Sequence, residues 1–69
     1  MLMGSERYII KKGRHYLDRF DGIEIKYTPS HYDCWKSRSF NTAMRVAKQV
    51  GGKVMKFNQV TGSVTGGWK

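Results

Sequence analysis

Few side chains in this sequence carry catalytic or ligating chemistry, and their spacing decides what each could do. His31 and Cys34 lie three apart in His-Tyr-Asp-Cys, and a neighbouring imidazolium lowers a thiol's pKa as a cysteine nucleophile requires. With a single Cys and no recognisable oxyanion loop, the plainer reading of Cys34 is a small buried or incidental residue. Zinc takes four ligands; His15, His31, Asp33 and Cys34 supply them only if the fold converges them, since no Cys-x-x-Cys pair is present. Asp18, Asp21 and Glu24 are close enough for a metal or an acid–base pair. Hairpin turns carry such residues routinely, so they read as turn chemistry and as partners for nearby Lys and Arg. Gly51-Gly52-Lys53 is a fragment of a phosphate loop, but Val54 stands where that loop needs Ser or Thr. Neither a catalytic residue, a metal set nor a cofactor is assigned, and the expectation is a protein that is not an enzyme.

Charge is the stronger signal. The chain holds 13 Lys and Arg against 5 Asp and Glu, a net +8, which biases its partners toward polyanions or acidic surfaces. All the acids lie in residues 1–33, whereas 34–69 carries Lys36, Arg38, Arg45, Lys48, Lys53, Lys56 and Lys69 with no acid among them. These cations lack a local carboxylate and must be solvated or matched by a partner. Arg45 and Lys48 share the outer face of a predicted helix, with Arg38 before it and Lys53 after it, so one continuous patch is expected. The plain alternative is a solvated face that keeps a small protein in solution. Tyr8, Tyr16, Tyr27, Tyr32, Trp35 and Trp68 have rings able to stack on bases, although strand aromatics at period two are usually core.

The elements that must position these residues belong to one domain, because 69 residues bury only about 60% of the surface their unfolded chain exposes. Residues 1–5 read as a flexible N-terminus and 6–69 as the domain. One cysteine favours a reducing compartment. No run is apolar enough for a signal peptide or a membrane span, so the expectation is a cytoplasmic protein with no membrane partner. Residues 7–12 are rich in β-formers and stop at Gly13, whose permissive backbone suits a tight turn; 14–20 returns as a hairpin. In that second strand the period places Tyr16 and Phe20 on one side and His15, Leu17 and Arg19 on the other. Asp21-Gly22 turns the chain, and 23–28 alternates Ile23, Ile25 and Tyr27 against Glu24, Lys26 and Thr28. Residues 29–37 break the pattern and read as a loop crossing the domain, anchored by Trp35. Asn41 is a candidate cap for a helix with Ala43, Met44, Val46, Ala47 and Val50 at helical spacing, ended by Gly51-Gly52. Residues 53–59 and a short strand around Val64, joined through Thr61-Gly62, complete a β-β-β-α-β-β order: an α+β fold with an antiparallel sheet and one helix packed on one face. The surplus of aromatics leaves some for contact, and the exposed sheet face is a candidate surface for a homodimer.

Three segments, Tyr8-Ile9-Ile10-Lys11, Phe40-Asn41-Thr42-Ala43-Met44-Arg45-Val46-Ala47-Lys48 and Gly52-Lys53-Val54-Met55-Lys56, resemble the short accessory proteins encoded by phages and mobile elements. Some anti-CRISPR proteins are similar in size and in this order of elements. The resemblance covers about half the chain, maps no inhibitor contact, and does not extend to the loop around Trp35. It implies a non-enzymatic inhibitor or accessory protein that binds a nucleic-acid-handling protein complex. Arg38, Arg45, Lys48, Lys53 and Lys56 would form its basic surface, and Trp35 or Trp68 its aromatic anchor. The alternative is a DNA- or RNA-binding module that grips the phosphate backbone directly with the same residues.

Overall fold

The strand-forming run after Ser5 has a partner on each side, and the computed structural model, which describes residues 6–21 and 23–68, places it at the sheet centre. The expected flexible segment 1–5, Gly22 of the expected turn and Lys69 lie outside the described residues. The elements are β1 (Glu6–Lys12), β2 (His15–Phe20), β3 (Ile25–Thr28), α1 (Phe40–Val50), β4 (Lys53–Asn58) and β5 (Val64–Trp68). The strands form one antiparallel sheet in the order β3-β2-β1-β4-β5. The β-β-β-α-β-β order and the α+β class are those expected.

Side-chain alternation along β1 divides the interior in two. Ile10 and Val54, paired across β1 and β4, join Leu17 and the helical Ala43, Ala47 and Val50 in a core on one face. Ile9, Phe57 and Cys34 form a second, smaller core on the other. Ile9, Ile10, Leu17 and Val54 are fully buried, each contributing about 1.5–3 kcal/mol by leaving water. An isolated eleven-residue helix is marginal in water, so α1 is held by this packing across β1 and β4. Its ends are satisfied locally. The Ser39 side chain accepts from the Thr42 N–H at 3.2 Å, making Ser39 the N-cap; Asn41, the expected cap, lies inside the first turn because the helix starts at Phe40. At the other end Gly51 is left-handed at φ 77° and donates to the Ala47 carbonyl. The Lys12 ammonium donates to the Val50 carbonyl at 2.8 Å, a cation on the negative end of the helix.

Two departures from simple alternation shape the rest. A bulge between Leu17 and Arg19 shifts the register of β2 on β3. Leu17 and Phe20 therefore both pack toward the helix while Tyr16 faces the second core. This corrects the grouping of Tyr16 with Phe20, since one extra residue in a strand reverses every side chain beyond it. The second departure lies between β1 and β2, which pair only at Lys11–Tyr16 and Lys12–His15 beside their turn. Beyond that the loop enters between them as a wedge. The Trp35 N–H donates to the Leu17 carbonyl of β2 at 2.7 Å, and Ser37 exchanges two bonds with Tyr8 of β1 at 2.7 and 2.9 Å. Cys34 falls in the second core and Trp35 packs half-buried against the first. The loop thus crosses the domain with Trp35 as an anchor, and His31 and Tyr32 lie over Phe57 on the face the helix does not cover.

Candidate basic interface

The outer face of α1 carries Arg45 and Lys48, both exposed, and Arg38 stands exposed just before the Ser39 cap. No acid occurs between Cys34 and the end of the chain, so none sits on this helix. The Ala43, Ala47 and Val50 stripe points inward, which turns Arg45 and Lys48 outward because residues three apart share a helix face.

The other predicted cations are distributed differently. Lys53 is exposed and alternates with Val54, which places it with Met55 and Phe57 on the face opposite the helix. It therefore does not extend the helical patch, although it follows the helix closely in sequence. Lys56 shares the helix side with Val54 and meets Glu6 at 3.9 Å, so one cation of the acid-free half has found a carboxylate from the first strand. Both groups are partly exposed, and such a pair contributes no more than about 1 kcal/mol. The expected single patch thus resolves into Arg45 and Lys48 on the outer face of the helix with Arg38 exposed before its cap, Lys53 on the opposite face of the sheet, and Lys56 in an ion pair.

Of the two candidate anchors, Trp35 is engaged in the helix-side core. Trp68 remains 39% exposed. Its ring stands edge-on to Tyr8 at 6.5 Å and Phe40 at 5.5 Å, a cluster beside the start of α1. Sequence reasoning missed the ladder of rings on the opposite face, in which His31 lies 5.9 Å from Tyr16 and 4.3 Å from Tyr32. Lysines attend it: Lys11 lies 6.0 Å from the Tyr16 ring centre and Lys36 5.4 Å from that of Phe57. The ammonium of Lys36 also donates to the Tyr32 and Cys34 carbonyls, tying the loop down. Alternation in β1 and β4 could have placed Lys11 and Lys53 on this face; the arrival of His31 and Tyr32 depends on the wedge and has no local signature.

The candidate nucleophile is not activated by its surroundings. Cys34 is buried, and burial pushes its thiol pKa up, with the Lys36 charge opposing only in part. The Sγ donates to the His31 carbonyl at 3.5 Å, and the His31 ring lies tilted against Tyr32. Among the described residues no three His, Cys, Asp or Glu side chains gather as a metal site would need. Asp21 works as a turn residue: its carboxylate accepts from the Glu24 and Ile23 N–H groups at 2.8 and 3.0 Å, which lowers its pKa. An open hollow of about 430 Å³ is lined by Lys12, His15 and Tyr27 and by none of the predicted interface residues.

A raised folded-state thiol pKa means that the fold retains the proton more tightly than the unfolded chain does. The associated stability is complete below the unfolded value and falls as pH rises through it. Thermal melts from about pH 7 to about pH 9.5, bracketing the ordinary thiol pKa, should therefore show a steeper loss of Tm for the wild type than for Cys34→Ala. Equal slopes would mean that the thiol is not desolvated in the fold.

Among the described residues no helix is long and apolar enough to cross a membrane. Comparison with protein-family models, curated proteins and solved structures returned no match.

Proposed function

We propose that this protein is a non-enzymatic binding protein, of the phage inhibitor or accessory type, that docks the outer face of α1 onto a nucleic-acid-handling protein complex in the host cytoplasm. Arg38, Arg45 and Lys48 would occupy a surface there that is built for, or as acidic as, nucleic acid. The supporting observation is that Arg45 and Lys48 are exposed together on a helix without an acid, beside an exposed Arg38. Cations placed this way stand ready for carboxylates or phosphates, Arg as a bidentate fork and Lys as a point charge. The exposed edge of Trp68 near the helix start supplies the large flat group that interface hot spots favour.

Direct nucleic-acid binding is the second reading, and the ring ladder favours it. Tyr32 is 58% exposed and lies tilted against His31 at 4.3 Å, with Lys53 exposed on the same face. Rings and lysines in that combination suit single strands.

Fluorescence anisotropy with labelled single-stranded DNA, duplex DNA and RNA at about 50 and about 200 mM salt separates the two, since phosphate contacts weaken steeply across that interval. The proposal expects no tight binding to any of them, and co-purification of a nucleic-acid-handling complex from nuclease-treated extract. Arg45→Glu with Lys48→Glu should weaken that association about tenfold or more, equivalent to at least about 1.4 kcal/mol. Tm should fall only slightly, because both side chains are exposed and the loss of the Lys48 cation from the last turn of α1 costs no more than about 1 kcal/mol. Unchanged association in the double variant would discard the helix face. Tight, salt-sensitive binding to a bare strand would transfer the assignment to the second reading.

A further inference from the structure

The edge strand β3 and the turn that leads into it hold the largest concentration of uncovered apolar side chains among the described residues. Ile23 is 93% exposed, Ile25 47% and Tyr27 37%. Tyr27 lies opposite Leu17 and Ile25 opposite Phe20, so both lie on the helix side of the sheet. The helix packs chiefly across β1 and β4 and leaves these side chains exposed. An edge strand with an apolar row is a template for another strand, and natural sheets usually blunt such edges.

The order of charges along this edge identifies its occupant. In Ile23-Glu24-Ile25-Lys26-Tyr27 the acid and the base flank Ile25 symmetrically. Laying a second copy antiparallel on the first, with Ile25 opposite Ile25, brings each Glu24 opposite the other copy's Lys26 and sets the Tyr27 of each copy on the same face as the paired Ile25. One face of the seam then carries an apolar row and the other two opposite-charge pairs. The neighbouring registers that preserve alternation fail: centring on Lys26 sets Lys26 against Lys26, and centring on Glu24 sets Glu24 against Glu24. Cross-strand pairs of like charge are destabilising and pairs of opposite charge stabilising. The backbone agrees with the Ile25 register. The Glu24 carbonyl accepts from the Asp21 N–H at 3.4 Å and its N–H donates to the Asp21 carboxylate, so Glu24 is bonded inward. Alternation then turns the N–H and C=O of Ile25 outward, where two copies would exchange a pair of hydrogen bonds across the two-fold axis.

We propose that β3 is the seam of a symmetric homodimer in which two sheets join antiparallel through Ile25, with both helices on the same side of the combined sheet. The seam is short, at the small end of specific interfaces, so the association is weak and concentration-dependent. It does not depend on which partner the basic helix face engages.

Sedimentation equilibrium from about 10 μM to about 1 mM, where small interfaces associate, tests the seam. The wild type should move from the monomer mass toward twice that mass. Glu24→Lys alone sets Lys against Lys and should leave a monomer at the highest concentration with an unchanged circular dichroism spectrum. Combining Glu24→Lys with Lys26→Glu exchanges the charges and should restore the dimer. Because Glu24 and Lys26 are exposed, the double variant separates a lost register from a lost fold. A wild type that stays monomeric throughout would overturn the proposal and leave β3 as an edge for an extended segment of another protein. A dimer that survives Glu24→Lys, or a double variant that stays monomeric, would also overturn it.

Discussion

Leu17→Ala is expected to cost about 2–5 kcal/mol, the range for removing a buried leucine and leaving a cavity. A chain this size has roughly 3–10 kcal/mol in total at 0.05–0.15 kcal/mol per residue, so one truncation removes a large part of it. Leu17 is fully buried in the helix-side core, and its carbonyl receives the Trp35 N–H. It sits where β2 leaves β1, and a cavity there has the wedge on one side and the sheet on the other. Thermal melts followed by circular dichroism should show Tm lower by more than about 10 °C, at 4–8 °C per kcal/mol for a small domain. Val60→Ala, at a side chain 80% exposed, provides the control and should move little. Comparable shifts in the two variants would show that Leu17 is not a core residue.

The second large effect is expected from the smallest addition. Gly52 lies directly behind the helix cap, and a Cβ built on it would fall 2.8 Å from Ile10 Cγ2 and 2.9 Å from the Lys11 carbonyl oxygen. A carbonyl engaged in a sheet has little freedom to retreat, and Ile10 is fully buried. Gly52→Ala should therefore cost about 1–3 kcal/mol as overpacking and lower the urea midpoint accordingly. Gly13→Ala separates space from backbone. Nothing lies within 4 Å of a Cβ at Gly13, and its φ of 64° leaves only the left-handed conformational penalty of about 1 kcal/mol. The ordering Gly52→Ala worse than Gly13→Ala is expected; the reverse would mean that β1 and the helix end do not approach this closely.

Local chemistry made most of the architecture readable. β-formers in β1, the helical spacing of Ala43, Ala47 and Val50, and the left-handed Gly51 act within a few residues, and the structure has them where the pattern put them. Misreadings arose where a distant segment or a shifted register intervened. The Leu17–Arg19 bulge regrouped one strand's side chains. The contact of Lys56 with Glu6 joins opposite ends of the sequence through the pairing of β4 with β1. The third strand begins at Ile25 instead of Ile23, because Asp21 captures the N–H groups of Ile23 and Glu24 for a turn. On the candidate interface, periodicity identified the outward Arg45 and Lys48, but only the sheet's two faces separate them from Lys53.

The wedge at Trp35 and Ser37 also sets the order in which the chain can fold. A hairpin normally zips from its turn and then acts as a template, but this one closes at Lys11–Tyr16 and Lys12–His15 and then parts. The remainder of β1 finds its neighbours in Ser37 and in Lys53–Asn58, far along the sequence. Loop-closure entropy must be met before those contacts stabilise anything, so folding falls toward the slower, topology-limited end of small domains. During synthesis, Ile9 and Ile10 leave the ribosome before β4 and wait exposed until it follows, so the centre of this sheet stays open to aggregation while most of the domain is being made.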